Sequence, residues 1–297
     1  MRHPHLSLFA VACLLAAAPG PEARADGPSE NVPVGPAGSS RSRLAAQGGR
    51  LVVAYVDGSG APSVAVSTDS GSTFSPPAVL PIPAATGGPD VAFAPDGTLL
   101  AVSASSSPAG SPLLIRSLDG GTSFQQAYAA YQSLVASNPR FAVDAGAGSA
   151  GVGSRYLSGW DYPFDYYGGL VLGASAKEGG SYGTPFLVDY DQSSAIAVAP
   201  NGDVYIAYRN PQVCVGRSTD GGESLQNLGR GTPVPGTPAN AGPVALAVDA
   251  AGVVHVAYAA APPDKPGDRA DVYYMRSVDQ AATFSAPIRL NDDGGLA

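Results

Sequence analysis

The sequence predicts an all-β fold: a β-propeller of four-stranded antiparallel blades, with five blades visible. Three observations carry this prediction. An Asp- and Gly-bearing octapeptide recurs five times; a turn glycine leads into a β-rich run ahead of most copies; and 38 Gly with 28 Pro among 297 residues interrupt the chain too often for a helical bundle. Hydrophobic residues make up 44% and charged residues only 13%, so there is ample apolar surface to bury.

Residues 1–25 carry Arg2, an apolar run from Leu6 to Ala18 and the small-x-small ending Ala23-Arg24-Ala25, the layout of a secretory signal cleaved before Asp26. Cys13 lies inside the run, but the Leu expected before a lipoprotein cysteine is replaced by Ala10-Val11-Ala12, so a free secreted protein, extracellular or periplasmic, is expected. Residues 26–42, rich in Pro, Gly and Ser, read as a leader and residues 43–297 as the propeller. No later stretch approaches the ~20 apolar residues of a spanning helix. Removing Arg2, Glu22 and Arg24 with the signal takes the net charge from −8 to −9, which disfavours nucleic acid and anionic membrane as partners. Cys214 is then the sole cysteine, so neither an internal disulfide nor a cysteine zinc site is available. His255, the single histidine after cleavage, sits in the alternating run Val253–Tyr258 and reads as a strand residue, which argues against Ser-His-Asp and Cys-His chemistry.

The octapeptide begins at Ser67 (Ser-Thr-Asp-Ser-Gly-Ser-Thr-Phe) and returns at Ser117, Ser218 and Ser277; a worn copy at Ser175 has Lys177 in place of Asp. Its third positions, 69, 119, 177, 220 and 279, lie 43 to 59 residues apart. Ahead of the copies, Gly49, Gly97, Gly202 and Gly252 each precede a run such as Leu51–Tyr55, Leu99–Val102, Val204–Tyr208 or Val254–Tyr258. Three of these glycines follow another apolar stretch: Val91–Ala94, Ile196–Ala199 and Leu246–Val248. Each unit therefore reads strand, tight turn, strand, variable loop, strand, aspartyl turn, strand, which is one propeller blade.

Within the octapeptide, Asp and Ser can accept hydrogen bonds from amides a few residues on, and the glycine admits positive φ. Asp69, Gly71, Asp119, Gly121, Gly179, Asp220, Gly222 and Asp279 are therefore expected to be structural, since a reacting acid has no reason to recur in every unit. The closing aromatic re-enters the sheet and packs between units.

This repeat resembles the Asp-box, or BNR repeat, of the sialidase superfamily, over roughly residues 43 to 290. The resemblance implies a propeller whose aspartyl turns face away from the ligand side. Because sialidases have six blades and related propellers more, it also implies either a chain truncated from a six- or seven-bladed ring or a five-bladed ring. Asp-boxes occur in non-hydrolytic propellers too, so activity is less constrained than fold. Sialidase chemistry would require a tyrosine nucleophile, a glutamate beside it, an aspartate acid and three converging arginines. The mature chain has only Glu30, Glu178 and Glu223, and no Arg-Ile-Pro-like segment near the first blade; Arg50-Leu51-Val52 is not a match.

The ligand side should carry the variable loops. Trp160-Asp161-Tyr162-Pro163-Phe164-Asp165-Tyr166-Tyr167, with the only Trp, is a candidate sugar platform, because aromatic rings stack on sugars and carboxylates fix hydroxyls; its alternative is a loop folded onto itself. Arg116, Arg217 and Arg276 precede octapeptides and read as solvated strand ends, whereas Arg140, Arg209 and Arg269 are placed on the ligand side as a possible anion grip. The functional expectation is an extracellular glycan- or protein-binding module, monomeric and without cofactor or recognised metal pattern; Asp191, Asp264 and Asp268 are isolated loop acids. The alternatives are a sialidase-type glycoside hydrolase, using Tyr166 or Tyr167 with Asp161 or Asp165, and a structural scaffold.

Overall fold

Short apolar runs punctuated by glycine turns leave room for strands of two to eight residues, and the structure, a computed structural model, contains no helix among its described residues. It describes residues 32, 34–82, 88–105, 112–125, 128–129, 136–161, 169–175, 185–189, 194–210, 212–226, 232–233, 243–262 and 271–291, with backbone alone at 128–129, 136–138, 160–161, 169 and 232–233. Among the described residues, twenty strands form five four-stranded antiparallel sheets, each built from consecutive strands. Blade 1 holds β1 (Ser40–Gln47), β2 (Arg50–Val56), β3 (Pro62–Ser67) and β4 (Ala78–Val79). Blade 2 holds β5 (Asp90–Phe93), β6 (Leu99–Ala104), β7 (Pro112–Ser117) and β8 (Tyr128–Ala129). Blade 3 holds β9 (Ala136–Val143), β10 (Arg155–Asp161), β11 (Gly169–Ser175) and β12 (Phe186–Asp189). Blade 4 holds β13 (Ser194–Val198), β14 (Val204–Asn210), β15 (Gln212–Ser218) and β16 (Thr232–Pro233). Blade 5 holds β17 (Val244–Val248), β18 (Val254–Ala260), β19 (Asp271–Ser277) and β20 (Ile288–Arg289). The first strands of all five blades, β1, β5, β9, β13 and β17, line a central channel.

Strand β1 starts at Ser40, inside the segment read as leader. Its sequence Ser-Arg-Ser-Arg-Leu-Ala-Ala-Gln lacks the apolar signal of the other inner strands, yet it pairs with β2 through Gln47↔Arg50 and Arg43↔Ala54. A bulge between Ser40 and Arg43 coincides with a positive φ of 56° at Arg41.

Successive blades are glued by apolar side chains of the sheet faces. Val52, Ala54 and Val64 of blade 1 meet Leu99, Ala101 and Ile115 of blade 2; Leu100 and Val102 meet Leu157 and Val171; Leu170 and Leu172 meet Val204 and Ile206; Ala207 and Val215 meet Val254 and Val256. Each fully buried Val, Leu or Ile contributes about 1.5–3 kcal/mol relative to exposure, so these four seams dominate stability. The other face of blade 5 carries a smaller cluster, Ala245, Ala247 and Ala257 with Ala259 and Val272, and among the described residues no cluster joins blade 5 to blade 1.

The four described octapeptides share one hydrogen-bond set. In blade 1 the Ser67 hydroxyl donates to Asp69 Oδ1 at 2.7 Å and accepts from Gly71 N–H at 2.8 Å, while Thr73 donates its N–H to Oδ1 at 2.9 Å and its hydroxyl to Oδ2 at 2.6 Å. Asp119, Asp220 and Asp279 repeat this with Ser117 and Ser123, Ser218 and Ser224, and Ser277 and Thr283. The fifth copy, with Gly179, lies outside the described residues. The closing side chains Phe124, Leu225 and Phe284 pack at the seams with the preceding blades.

Two consecutive residues take positive φ in each turn: Ser70-Gly71, Gly120-Gly121, Gly221-Gly222 and Gln280-Ala281. An exposed non-glycine residue there costs about 1–2 kcal/mol, partly offset by the entropy glycine loses on folding. Gln280→Gly is therefore expected to stabilise the protein by about 0.5–1 kcal/mol, readable as a higher denaturant midpoint at unchanged slope; a lower midpoint would show that the Gln280 backbone is at ease.

The turn carboxylates also set an acid limit. Hydrogen bonds from the Thr73 side chain and N–H, then Ser67, hold Asp69 down to about 2, and those from Thr283 and Ser277 do the same for Asp279. At Asp220 burial opposes ionisation, but bonds from Ser218 and Ser224 outweigh it and leave it at about 2. Asp119, bonded by Ser123 and Ser117, is also lowered. Depressed folded-state values mean that this stabilisation is fully present above the unfolded carboxylate value of about 3.9 and is lost as pH falls towards 2. Denaturant midpoints should accordingly fall between about pH 4 and pH 2. Asp119→Asn should flatten that slope, and an equally steep fall in the variant would assign it to other groups.

Candidate functional site

An antiparallel blade has two ends, and the β3–β4 octapeptide turn shares one of them with the β1–β2 turn; Ser70 N–H donates to Gly49 O at 3.1 Å across the two. Glu223, in the octapeptide of blade 4, belongs to this turn rim. The opposite rim collects the β2–β3 loops and the connections between blades, and there the inner strands begin.

The inner strands carry the chemistry. Arg43, Asp90, Arg140, Ala195 and Ala245 occupy one equivalent position in the five blades, paired across their sheets with Ala54, Val102, Ser158, Ala207 and Ala257. Blades 1, 2 and 3 thus place two guanidiniums and a carboxylate in one tier of the ring, and blades 4 and 5 complete it with alanine. Arg43, Asp90, Arg140 and Ala195 line the channel cavity, whose volume is about 290 Å³, together with Phe93 and Leu246.

Asp90 is almost wholly buried. Its Oδ1 accepts from Val91 N–H at 2.9 Å and its Oδ2 from Phe141 N–H at 3.0 Å, a bond that ties blade 2 to blade 3. Burial raises its carboxyl, and the charges of Arg43 and Arg140 act to lower it. Arg140 is anchored from two sides: Nε donates to Ser194 O of blade 4 at 2.9 Å and Nη1 to Pro139 O at 3.2 Å. Arg43 Nη1 donates to Ser42 O at 2.8 Å. Burial, then the Arg140 charge, pushes Arg43 down to about 9, with Asp90 working against the shift and Arg41 adding to it. Arg43 therefore keeps its charge at neutral pH. Among the described residues, the channel wall thus sets two guanidiniums against one carboxylate in a protein whose net charge is −8.

The structure rearranges the residues singled out in the sequence. Arg140 is in the channel, but on inner strand β9 and not on a loop; Arg209 lies within β14 and is not among the residues lining the cavity. Trp160 and Asp161 are the last two residues of β10, where only the backbone is described, and so belong to the end of a strand and not to a loop. Tyr162, Tyr166 and Arg269, like Asp165, Tyr167, Asp191, Asp264 and Asp268, lie outside the described residues, as do Glu30 and Glu178. Arg217 is no free strand end: it pairs with Asp203 at 2.6 Å. Arg50 stacks over Phe93, 5.2 Å from the ring centre. His255 is a strand residue, as read from its alternating run, with Nδ1 2.7 Å from Tyr274 Oη and Nε2 3.3 Å from Asp249 Oδ2. Arg43 and Asp90 were not singled out. Their signal was the alignment of the segments ahead of Gly49 and Gly97 with Pro139-Arg140-Phe141, which puts charged residues at one repeat position of the inner strands.

Among the described residues no group of three or more His, Cys, Asp or Glu is placed to hold a metal ion, and no helix is long and apolar enough to cross a membrane. No protein-family model and no curated protein matches the chain. The fold is similar to that of the Hadza microbial sialidase Hz136, with TM-score 0.62 and 15% identity over 86% of this chain, which spans 59% of the sialidase. It is likewise similar to a protein of unknown function from Dyadobacter fermentans (TM-score 0.60, 18% identity, covering 86% of this chain and 84% of that one). The intramolecular trans-sialidase from Ruminococcus gnavus in complex with oseltamivir carboxylate is similar at TM-score 0.59 and 11% identity, covering 86% and 85%. At these identities the likeness is one of fold.

Proposed function

We propose that this protein is an exported glycan-binding module that holds the acid group of a sugar in its central channel, between Arg43 and Arg140. One observation carries the reading: among the described residues, a single tier of the ring sets two guanidiniums and one buried carboxylate at the wall of a cavity near the lower end of the ~300–1,000 Å³ range of ligand sites. A carboxylate suits this wall because guanidinium binds it bidentately through charge-assisted bonds. Asp90 and the Ser194 carbonyl hold the cations in place before the ligand arrives, which lowers the ordering cost of binding. Alanine at the equivalent positions of blades 4 and 5 keeps that side of the tier small, leaving the sugar body room opposite its acid. The fold shared with sialidases supports a carbohydrate ligand without fixing a reaction, and binding alone is proposed.

Calorimetric titration with galacturonic acid and N-acetylneuraminic acid tests this, with galactose as the neutral control. Binding of an acid sugar is expected, weakened about 10- to 100-fold by Arg43→Ala or Arg140→Ala, the equivalent of one lost charge-assisted pair of about 1.5–3 kcal/mol. Equal affinity for galactose, or variants that bind like the parent, would refute the assignment. Release of a fluorescent leaving group from a sialoside would add hydrolysis to it.

A further inference from the structure

The residues that follow the charged tier repeat as strictly as the tier itself. One step towards the turn rim stand Leu44, Val91, Phe141, Ile196 and Leu246, paired across their sheets with Val53, Ala101, Leu157, Ile206 and Val256. All five line the cavity. The next step is alanine in every blade, Ala45, Ala92, Ala142, Ala197 and Ala247, and the first three of these line it too. Ala46, Phe93 and Val143 follow. Among the described lining residues the next polar side chain is Gln47, whose Nε2 donates to Ala94 O at 3.0 Å. At a rise of ~3.3 Å per strand residue, the four steps from Arg43 to Gln47 span ~13 Å of wall, longer than one sugar ring. A sugar carries hydroxyls around its ring, and burying them against such side chains is costly unless each finds a hydrogen bond. Of the backbone groups along the inner strands, Phe141 N–H, Ser194 O and Ala94 O are already engaged by Asp90, Arg140 and Gln47. An apolar group in the same place instead stabilises the complex in proportion to the area it removes from water.

We infer that the channel's ligand is a glycoside of an acid sugar with an apolar aglycone: the acid sits between Arg43 and Arg140, and the aglycone lies against the apolar layer of Leu44, Val91, Phe141, Ile196 and Leu246. This rests on the channel reading above and adds the class of conjugate to it. A free acid sugar satisfies the charged end of the wall and leaves the apolar length unused, whereas an aryl or alkyl glycoside matches both ends with one molecule. The alanines of the following layer are small, which leaves room for a planar aryl group beside the bulky ring.

Methyl β-glucuronide, phenyl β-glucuronide and the neutral phenyl β-glucoside, titrated calorimetrically into the full chain, test the inference. Phenyl glucuronide is expected to bind at least tenfold more tightly than methyl glucuronide, with a more negative heat-capacity change, the mark of apolar surface buried on binding. Leu44 and Ile196 are half-buried, so polar replacements are best tolerated there. Leu44→Asn or Ile196→Asn should cut the phenyl-to-methyl ratio to threefold or less, and thermal unfolding reports whether each variant remains folded. Equal affinities for the two glucuronides, or a ratio unchanged in both folded variants, overturn the inference and leave the channel reading standing. Phenyl glucoside binding as tightly as phenyl glucuronide, or failure of both glucuronides to bind, overturns both.

Discussion

Gly121→Ala is expected to destabilise the protein by about 3 kcal/mol, the sum of a backbone and a packing effect. Gly121 has φ 100°, outside the range alanine tolerates, and a Cβ there would lie 2.6 Å from Val66 Cγ2 and 3.3 Å from Leu99 Cδ2, inside the seam between blades 1 and 2. Val66 is branched at Cβ and held in a strand, so it cannot swing aside. Two equivalent positions calibrate the effect. Ala281 already fills this place in blade 5 at φ 67°, buried among the residues of the blade 4–5 seam, so a methyl group is tolerable where the neighbours were chosen around it. Gly71 faces only the flexible end of Leu51 at 3.0 Å, and Gly71→Ala should cost about 1 kcal/mol, mostly backbone. Denaturant unfolding of the two variants checks the ranking; equal losses would mean that left-handed strain, not the seam contact, sets the cost.

Asp90→Ala is expected to cost about 3–5 kcal/mol, because removing one partner from a buried charge cluster leaves the others uncompensated. Here the cost falls on four groups: Arg43, Arg140, the Val91 N–H and the Phe141 N–H, the last of which loses its acceptor across the blade 2–3 boundary. Asp90→Asn keeps an acceptor of the same shape and should lose less. A loss under about 1 kcal/mol for the alanine variant would show that both guanidiniums reach water readily and that the channel is wetter than its wall suggests.

Much of the fold was legible in the sequence because the repeat is written in short-range chemistry. Ser67, Asp69, Gly71 and Thr73 make their bonds within one turn, so their spacing alone announces the structure. Strand β1 was harder, since Ser40, Ser42 and two arginines replace the valines and alanines that mark the other inner strands. The candidate site was legible only in part. Arg43, Asp90 and Arg140 are brought together by the side-by-side packing of successive inner strands 47 to 50 residues apart in sequence, and no local motif records that meeting. Reading arginines by proximity to loops put Arg140 on a rim, whereas it lies within β9 and pairs with Ser158 across the sheet. In blades 1 to 3 the opening strand carries a charged residue, Arg43, Asp90 or Arg140, where it lines the channel, so these charges record the axis of the ring and not its surface.

The proposed binding of an acid sugar at the tier formed by Arg43, Asp90 and Arg140 is decided by a crystal structure of the protein soaked with galacturonic acid. A carboxylate bridging the guanidiniums of Arg43 and Arg140 inside the channel is expected; sugar found instead on the octapeptide rim, with the channel holding water alone, would refute the proposal.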